Sequence, residues 1–163
     1  MSQFRLHQTL VALAGMVFLA GCESAPVYMP PAEGATATLL YPKQFKKFGL
    51  PSVAFGPVQI APKGNDGCGS LTVLPKVPGE EESSTRLRGG RDYFLLMAEA
   101  RGTYSCLVYF SFHAEENANY RLRFDYGAST CRGTVSMLIG DQELPVPLKA
   151  VKLGPERGKI CEK

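Results

Sequence analysis

Cysteine is the residue type that could take part in the most chemistry in this chain of 163 residues, which contains five cysteines and two histidines. Cys22 lies near the N-terminus, whereas Cys68, Cys106, Cys131 and Cys161 are separated by gaps of 37, 24 and 29 residues. Zinc sites usually take their cysteines in closely spaced pairs such as C-x2-C, so this spacing argues against a metal centre. An even number of cysteines in an exported chain instead predicts two disulfides, for which three pairings are possible.

His113 is the one histidine beyond the first ten residues, and it follows an apolar run that ends at Phe112. It could pair with Glu115 or Glu116 in acid–base chemistry. A single histidine in a polar turn is more typical of an exposed side chain, and the chain contains neither H-E-x-x-H nor G-x-S-x-G. The sequence therefore predicts no catalytic residue, no metal ion and no cofactor.

Three arginines surround the Gly89-Gly90 pair, namely Arg86, Arg88 and Arg91. Arginine forks bind phosphate and carboxylate groups in a bidentate manner, so these side chains could form a small patch for an anion or a protein partner. The alternative is the solvent-exposed face of a hairpin.

The N-terminus has the pattern of an export signal. Residues 10–20 are apolar, which is too short a run to cross a bilayer but typical of a signal-peptide h-region. Cleavage after Ala20 or Ala25 would place Phe18 or Glu23 at the third-last position, where ordinary signal peptidase requires a small residue. Ordinary signal peptidase is therefore a poor fit to this N-terminus.

The motif Leu19-Ala20-Gly21-Cys22 resembles the lipobox of bacterial lipoproteins. The resemblance implies diacylation of the Cys22 thiol, cleavage before Cys22 and acylation of the new amino group. It also implies sorting to the outer membrane with the domain facing the periplasm, since Glu23 stands where an aspartate often retains lipoproteins in the inner membrane. A plain signal peptide, or an uncleaved apolar N-terminus with an incidental cysteine, is the alternative.

The composition and the positions of the prolines predict a tether and one globular domain after the signal peptide. The chain is 45% hydrophobic and 20% charged, which is ordinary for a globular domain, and a net charge of +3 is too balanced to suggest a nucleic-acid partner. Residues 22–35 contain Pro26, Pro30 and Pro31, which favour an extended spacer. We therefore divide the chain into a signal peptide (1–21), a lipidated tether (22–35) and a β domain (36–163).

The domain shows repeated period-two alternation, most clearly in residues 120–126, where apolar or aromatic residues alternate with charged ones. The other strand-like runs, bounded by Gly and Pro, are 36–41, 53–61, 70–74, 92–98, 104–112, 133–139 and 143–151. Eight short strands predict an all-β fold, an antiparallel two-sheet β-sandwich of immunoglobulin-like or transthyretin-like type, reinforced by disulfides.

The sequence also predicts the roles of three individual segments. Residues 104–112 are apolar on both faces, which suits a central strand, and residues 76–90 are predicted to be a mobile surface loop. Residues 116–120, Glu-Asn-Ala-Asn-Tyr, resemble the tyrosine corner of Greek-key sandwiches, in which the Tyr120 hydroxyl would bond to nearby backbone. An ordinary core aromatic is the alternative for Tyr120.

Local adjacency favours the disulfides Cys68–Cys106 and Cys131–Cys161. Cys106 lies in the strand expected to be central, and Cys68 precedes a neighbouring strand. Cys131 begins the strand that pairs with the C-terminal edge, which leads on to Cys161.

Three functions from different classes fit these features. The first is a non-enzymatic outer-membrane lipoprotein whose periplasmic domain binds a protein or another envelope component in a structural or assembly role. The second is a periplasmic inhibitor or immunity protein that blocks an enzyme or toxin through a loop such as 76–91. A cell-wall hydrolase ranks last, because the chain lacks a convincing catalytic constellation.

Overall fold

The fold is all-β, as the sequence predicts. The computed structural model describes residues 25–42, 53–75, 82–101, 104–126 and 130–163, so the predicted signal peptide and Cys22 lie outside the described residues. Within these ranges no helix forms, and hence none that is long and apolar enough to span a membrane. The thirteen strands of these ranges are β1 (Thr36–Pro42), β2 (Val53–Phe55), β3 (Gln59–Pro62), β4 (Cys68–Ser70), β5 (Thr72–Val73), β6 (Glu82–Arg88), β7 (Arg91–Arg101), β8 (Tyr104–Ala114), β9 (Asn119–Tyr126), β10 (Cys131–Ile139), β11 (Gln142–Pro145), β12 (Val151–Leu153) and β13 (Lys159–Glu162).

The strands form three layers. The front sheet has the order β11-β10-β9-β1-β6 and is antiparallel except for the pairing of β1 with β9. The central sheet has β7 in its middle, with β8 along one edge and β2, β3 and β5 on the other side. The back sheet is small and has the order β12-β13-β4.

The main core lies between the front and central sheets. Its cluster joins Leu39 of β1 and Leu122 of β9 with Leu95 of β7 and Phe112 of β8, each at most 1% exposed. These residues come from the apolar positions of alternating strands, which turn one face of each sheet inward. The predicted sandwich is confirmed.

The third layer was not expected from the sequence. Phe94 and Leu96 point to the opposite face of β7, where they form a second buried cluster with Val151 of β12 and Ile160 of β13. The back sheet therefore covers a face of the central sheet that a two-sheet sandwich would leave to solvent.

The described part of the chain has five strands more than the predicted eight, because β6 and β13 are additional and the predicted runs 53–61, 70–74 and 143–151 each form two strands. Residues 82–88, predicted as part of a loop, form β6 and pair with β1 over its whole length. Its inward positions are Ser83, Thr85 and Leu87, so two small hydroxyl residues conceal the apolar alternation. Proline-containing runs 53–61 and 143–151 are each split, and β13 is only four residues long.

The expectation of a central position for β8 is wrong. Among the described strands β8 pairs only with β7, and its outer edge meets just one further residue, Lys149, opposite Ser111. Apolar residues on both faces had suggested burial on both sides, but Leu107 and Tyr109 remain 47% and 37% exposed.

The predicted disulfide pairing is also wrong, although the prediction of two disulfides holds. Cys68 of β4 is bonded to Cys161 of β13, and Cys106 of β8 is bonded to Cys131 of β10. The first bond joins directly opposed residues of neighbouring back-sheet strands. The second joins the central sheet to the front sheet, since β8 packs across β10 rather than beside β4.

Tyr120 makes the bond expected of a tyrosine corner. Its ring is fully buried, and its hydroxyl accepts a hydrogen bond from the backbone N–H of Glu115 at 2.8 Å. The ring also meets Phe112 edge-on, with a centroid separation of 5.4 Å. The hydroxyl thus ties the β8–β9 connection to the core.

Part of the predicted tether belongs to the folded domain. Residues 26–28, which we call the strap, run alongside β5, where the Val73 N–H donates to the Pro26 carbonyl and the Tyr28 N–H donates to the Val73 carbonyl. The Tyr28 ring is 8% exposed within the main core, and its hydroxyl donates to the Arg86 carbonyl at 3.2 Å. A spacer role is therefore left only to residues before the strap.

Candidate functional site

The solvent face of the front sheet carries arginines on β6 and β9, the two strands that lie on either side of β1. On β6, residues alternate between exposed and buried, so Arg86 and Arg88 point outward while Leu87 enters the core. On β9 the same alternation places Arg121 and Arg123 outward while Leu122 is buried. We call Arg86, Arg88, Arg121 and Arg123 the arginine face.

Two members of the arginine face are neutralised by carboxylates. Arg121 Nε lies 3.0 Å from Glu82 Oε1, and Arg121 also donates to Glu143, which accepts a second bond from Arg123 Nη2 at 2.8 Å. The hydrogen bond from Arg121 holds the pKa of the Glu143 carboxyl below its usual value, and Arg123 adds to this effect. These charges are compensated locally.

Arg86 and Arg88 lack such compensation among the described residues. The register of β6 against β1 places Thr38 opposite Arg86 and Thr36 opposite Arg88, so each guanidinium has a neutral cross-strand neighbour. Both side chains are exposed, and no ion pair with a described carboxylate involves either one. Within the described part of the chain, this end of the arginine face therefore presents two positive charges that have no carboxylate partner.

Arg91, predicted as the third member of the patch, is directed elsewhere. The Gly89-Gly90 turn carries the chain from the front sheet to the central sheet, so Arg91 begins β7 rather than extending β6. Its Nε and Nη2 donate to the Lys63 carbonyl at 3.3 and 3.0 Å. Arg91 thus anchors a turn. Arg121 and Arg123, which the alternation predicted to be ordinary solvent-facing residues, lie on the same face as Arg86 and Arg88 but across β1 from them.

The turn itself depends on a close approach. A Cβ at Gly89 would lie 2.6 Å from the Cα of Glu116, which is backbone and has no room to move aside. Only glycine fits where β6 leaves the front sheet beside the β8–β9 connection. This contact marks the point at which Arg91 separates from Arg86 and Arg88, the other two members of the predicted patch.

His113 pairs with Asp92, and not with Glu115 or Glu116, which the sequence offered as possible partners. Asp92 and His113 are directly opposed on β7 and β8, and His113 Nδ1 lies 2.7 Å from Asp92 Oδ1. The His113 side chain is half-exposed, as expected for the preferred interpretation, and its partner is the cross-strand residue because directly opposed side chains meet in a sheet.

Asp92 is the centre of a cluster of charged groups. Lys63 Nζ and Lys149 Nζ lie 3.5 and 3.6 Å from Asp92 Oδ2, and Lys63 also binds Glu162 at 2.6 Å. Burial acts to raise the pKa of Asp92, but the His113 hydrogen bond and the two lysine charges outweigh it and hold that pKa below its usual value. Through Glu162 the cluster links the central sheet to β13, and through Lys149 it links that sheet to the segment that pairs with Ser111.

The Asp92–His113 pair lacks the other parts of a hydrolytic site. Ser111 lies on the same face of β8, but the residue is 1% exposed and its Oγ has no hydrogen-bond partner among the described residues. An activated serine needs a hydrogen bond to the histidine and access to substrate. In the described residues we also find no group of three or more His, Cys, Asp or Glu side chains arranged for a metal ion.

The loop proposed for an inhibitor function is shorter than expected. Of residues 76–91, those at 82–88 form β6 and Arg91 begins β7, while residues 76–81 lie outside the described residues.

Comparison with known proteins provides no relative. No family model matches the chain, and neither a curated protein nor a solved structure matches it significantly.

Proposed function

We propose that this protein is a non-enzymatic lipoprotein, anchored in the outer membrane through Cys22, whose periplasmic domain binds an acidic surface of a protein partner through the arginine face. The lipobox resemblance at residues 19–22 supports the anchor. The binding role rests on the geometry of the front sheet.

The observation that carries the binding role is the pair of exposed charges at Arg86 and Arg88, neither of which forms an ion pair with a described carboxylate. Guanidinium groups bind carboxylates in a bidentate geometry and are weakly hydrated, which suits them to protein interfaces. Their neighbours Thr36 and Thr38 add hydroxyl groups that both donate and accept hydrogen bonds. Carboxylates of a partner protein would form ion pairs with Arg86 and Arg88, as Glu82 and Glu143 already do with the other two arginines.

A binding role accounts for this surface better than hydrolysis does. The Asp92–His113 pair is tied to lysines, and the adjacent Ser111 is buried, so this cluster has the character of a structural link between layers. Arg86 and Arg88, in contrast, are exposed on the solvent face of the front sheet, where a protein surface can approach.

The experiment is site-specific photo-crosslinking in cells. A photoreactive residue at Ser84, which is exposed on β6 beside Arg86, should form a discrete adduct, whereas one at Asp141 on the opposite edge of the front sheet should not. Arg86→Glu should abolish the adduct, and the matched charge reversal Lys152→Glu on the back sheet should leave it intact.

The anchor is tested separately by fractionation. Cys22→Ser should move the protein out of the membrane fraction or leave it as unprocessed precursor. Unchanged processing and membrane retention of Cys22→Ser would refute the anchor, and an adduct that persists in Arg86→Glu would refute the arginine face as the contact. If the crosslinked partner is a toxin or an enzyme, the inhibitor or immunity role replaces the structural one.

A further inference from the structure

The strap fixes one face of the domain close to the point of lipid attachment. Its two backbone hydrogen bonds with Val73, both 2.8 Å long, and the buried ring of Tyr28 hold it on the domain. The strap begins at Pro26, only four positions after Cys22.

The reach of the intervening chain is short compared with the domain. Four residues span at most about 14 Å when fully extended. A domain of this size is roughly 35 Å across. Whatever path residues 23–25 take, the domain cannot turn its opposite side toward the membrane without releasing the strap.

The face of the domain that is held near the point of lipid attachment carries exposed apolar side chains. Val27 and Met29, on either side of the buried Tyr28, are 57% and 83% exposed. They border an open cleft of about 540 Å³, whose other walls include Thr72, Asp66 and Lys159. Exposed apolar side chains beside polar and charged groups suit the boundary between lipid headgroups and acyl chains.

From this geometry we infer that the strap face, defined by Val27, Met29 and the cleft between them and β4, rests directly on the phospholipid surface into which the acyl chains of Cys22 insert. This inference rests on the proposed lipid attachment at Cys22. The strap acts as a rigid mount that sets the orientation of the domain, so the domain does not hang from a long tether.

Orientation follows from the sheet order. The strap contacts β6 through the bond from Tyr28 to Arg86, so the β6 edge of the front sheet lies near the membrane. The β11 edge is four strands away, which is about 19 Å at ordinary strand spacing. Arg86 and Arg88 are therefore presented close to the membrane surface, while the β10–β11 hairpin points into the periplasm.

The absence of tryptophan from the chain makes this arrangement directly measurable. The variants Met29→Trp and Ile139→Trp each introduce a single reporter at an exposed apolar position, the first on the strap face and the second beside the β10–β11 turn. Each lipidated protein would be reconstituted into vesicles of phosphatidylethanolamine and phosphatidylglycerol, with and without brominated phosphatidylcholine, which quenches tryptophan only at close range.

We expect Met29→Trp to show blue-shifted emission and to lose most of it to brominated lipid. Ile139→Trp should keep a solvent-exposed spectrum with little quenching. Equal quenching at both positions, or none at residue 29, would overturn the inference when vesicle flotation shows the protein to be lipid-bound. Failure of the lipid-processed protein to float at all would instead refute the anchor, and with it both proposals.

Discussion

Replacing Tyr28 with alanine tests whether the strap is an integral but separable part of the fold. A buried tyrosine removes about 150–250 Å² from water, and at about 25 cal/mol per Å² this burial contributes about 4–6 kcal/mol. The two strap–Val73 hydrogen bonds add about 1 kcal/mol each.

Ordering the strap opposes these terms. Fixing the backbone of residues 26–28 costs about 1–2 kcal/mol per residue, and holding the tyrosine side chain costs somewhat more. The difference leaves about 2 kcal/mol for docking of the strap. Tyr28→Ala should therefore lower the free energy of unfolding by about 2 kcal/mol, less than the 3–5 kcal/mol typical of an aromatic residue lost from a rigid core.

Two measurements distinguish release of the strap from a cavity in the core. Urea unfolding should give a smaller m-value for Tyr28→Ala, because its native state already exposes the strap. Hydrogen exchange at the Val73 amide, which donates to Pro26, should become faster. The control is Val27→Ala, in the same segment but 57% exposed, which should change stability by less than about 0.5 kcal/mol.

The reasoning would be refuted in either of two ways. A stability loss no greater than that of Val27→Ala would mean that the strap does not dock in solution. A loss of about 4 kcal/mol or more with unchanged exchange at Val73 would mean that Tyr28 is an ordinary core residue, inseparable from the sandwich.

Three further predictions concern the core and the charged cluster. Tyr120→Phe should cost about 1–3 kcal/mol in urea unfolding, because it leaves a backbone donor unpaired, while Tyr109→Phe at an exposed ring should be neutral; equal effects would contradict the corner. Gly133→Ala should cost about 1–3 kcal/mol or more, since its Cβ would overlap the Phe110 ring, and a variant as stable as the parent would show that the two sheets are not so closely packed. Asp92→Asn should be less stable than the parent near neutral pH. Because the folded pKa of Asp92 is lowered, this difference should persist above its ordinary value of 3.8 and shrink as the pH falls through the lower folded pKa; a difference independent of pH between 2 and 6 would exclude the charge as its source.

Charge distribution illustrates the limit of local patterns. Alternation in the β6 sequence is sufficient to put Arg86 and Arg88 on one side of a strand once that strand is recognised, but Arg91 lies only three residues further and belongs to another sheet. A turn at Gly89-Gly90 is visible in the sequence, whereas the change of sheet that it makes is not. The other two members of the arginine face come from β9, which lies across β1 from β6 and more than thirty residues away in the chain.

The same distinction governs the whole protein. The sequence by itself determined the all-β class, because the alternation of apolar and polar residues is set within a few residues, and the presence of two disulfides, because the domain contains four cysteines that can pair. Tertiary structure alone decided that Cys68 bonds Cys161, that Cys106 bonds Cys131 and that Tyr28 is part of the core. These outcomes depend on which strands become neighbours, and that is set by burial of apolar faces over the whole domain, which no short segment encodes.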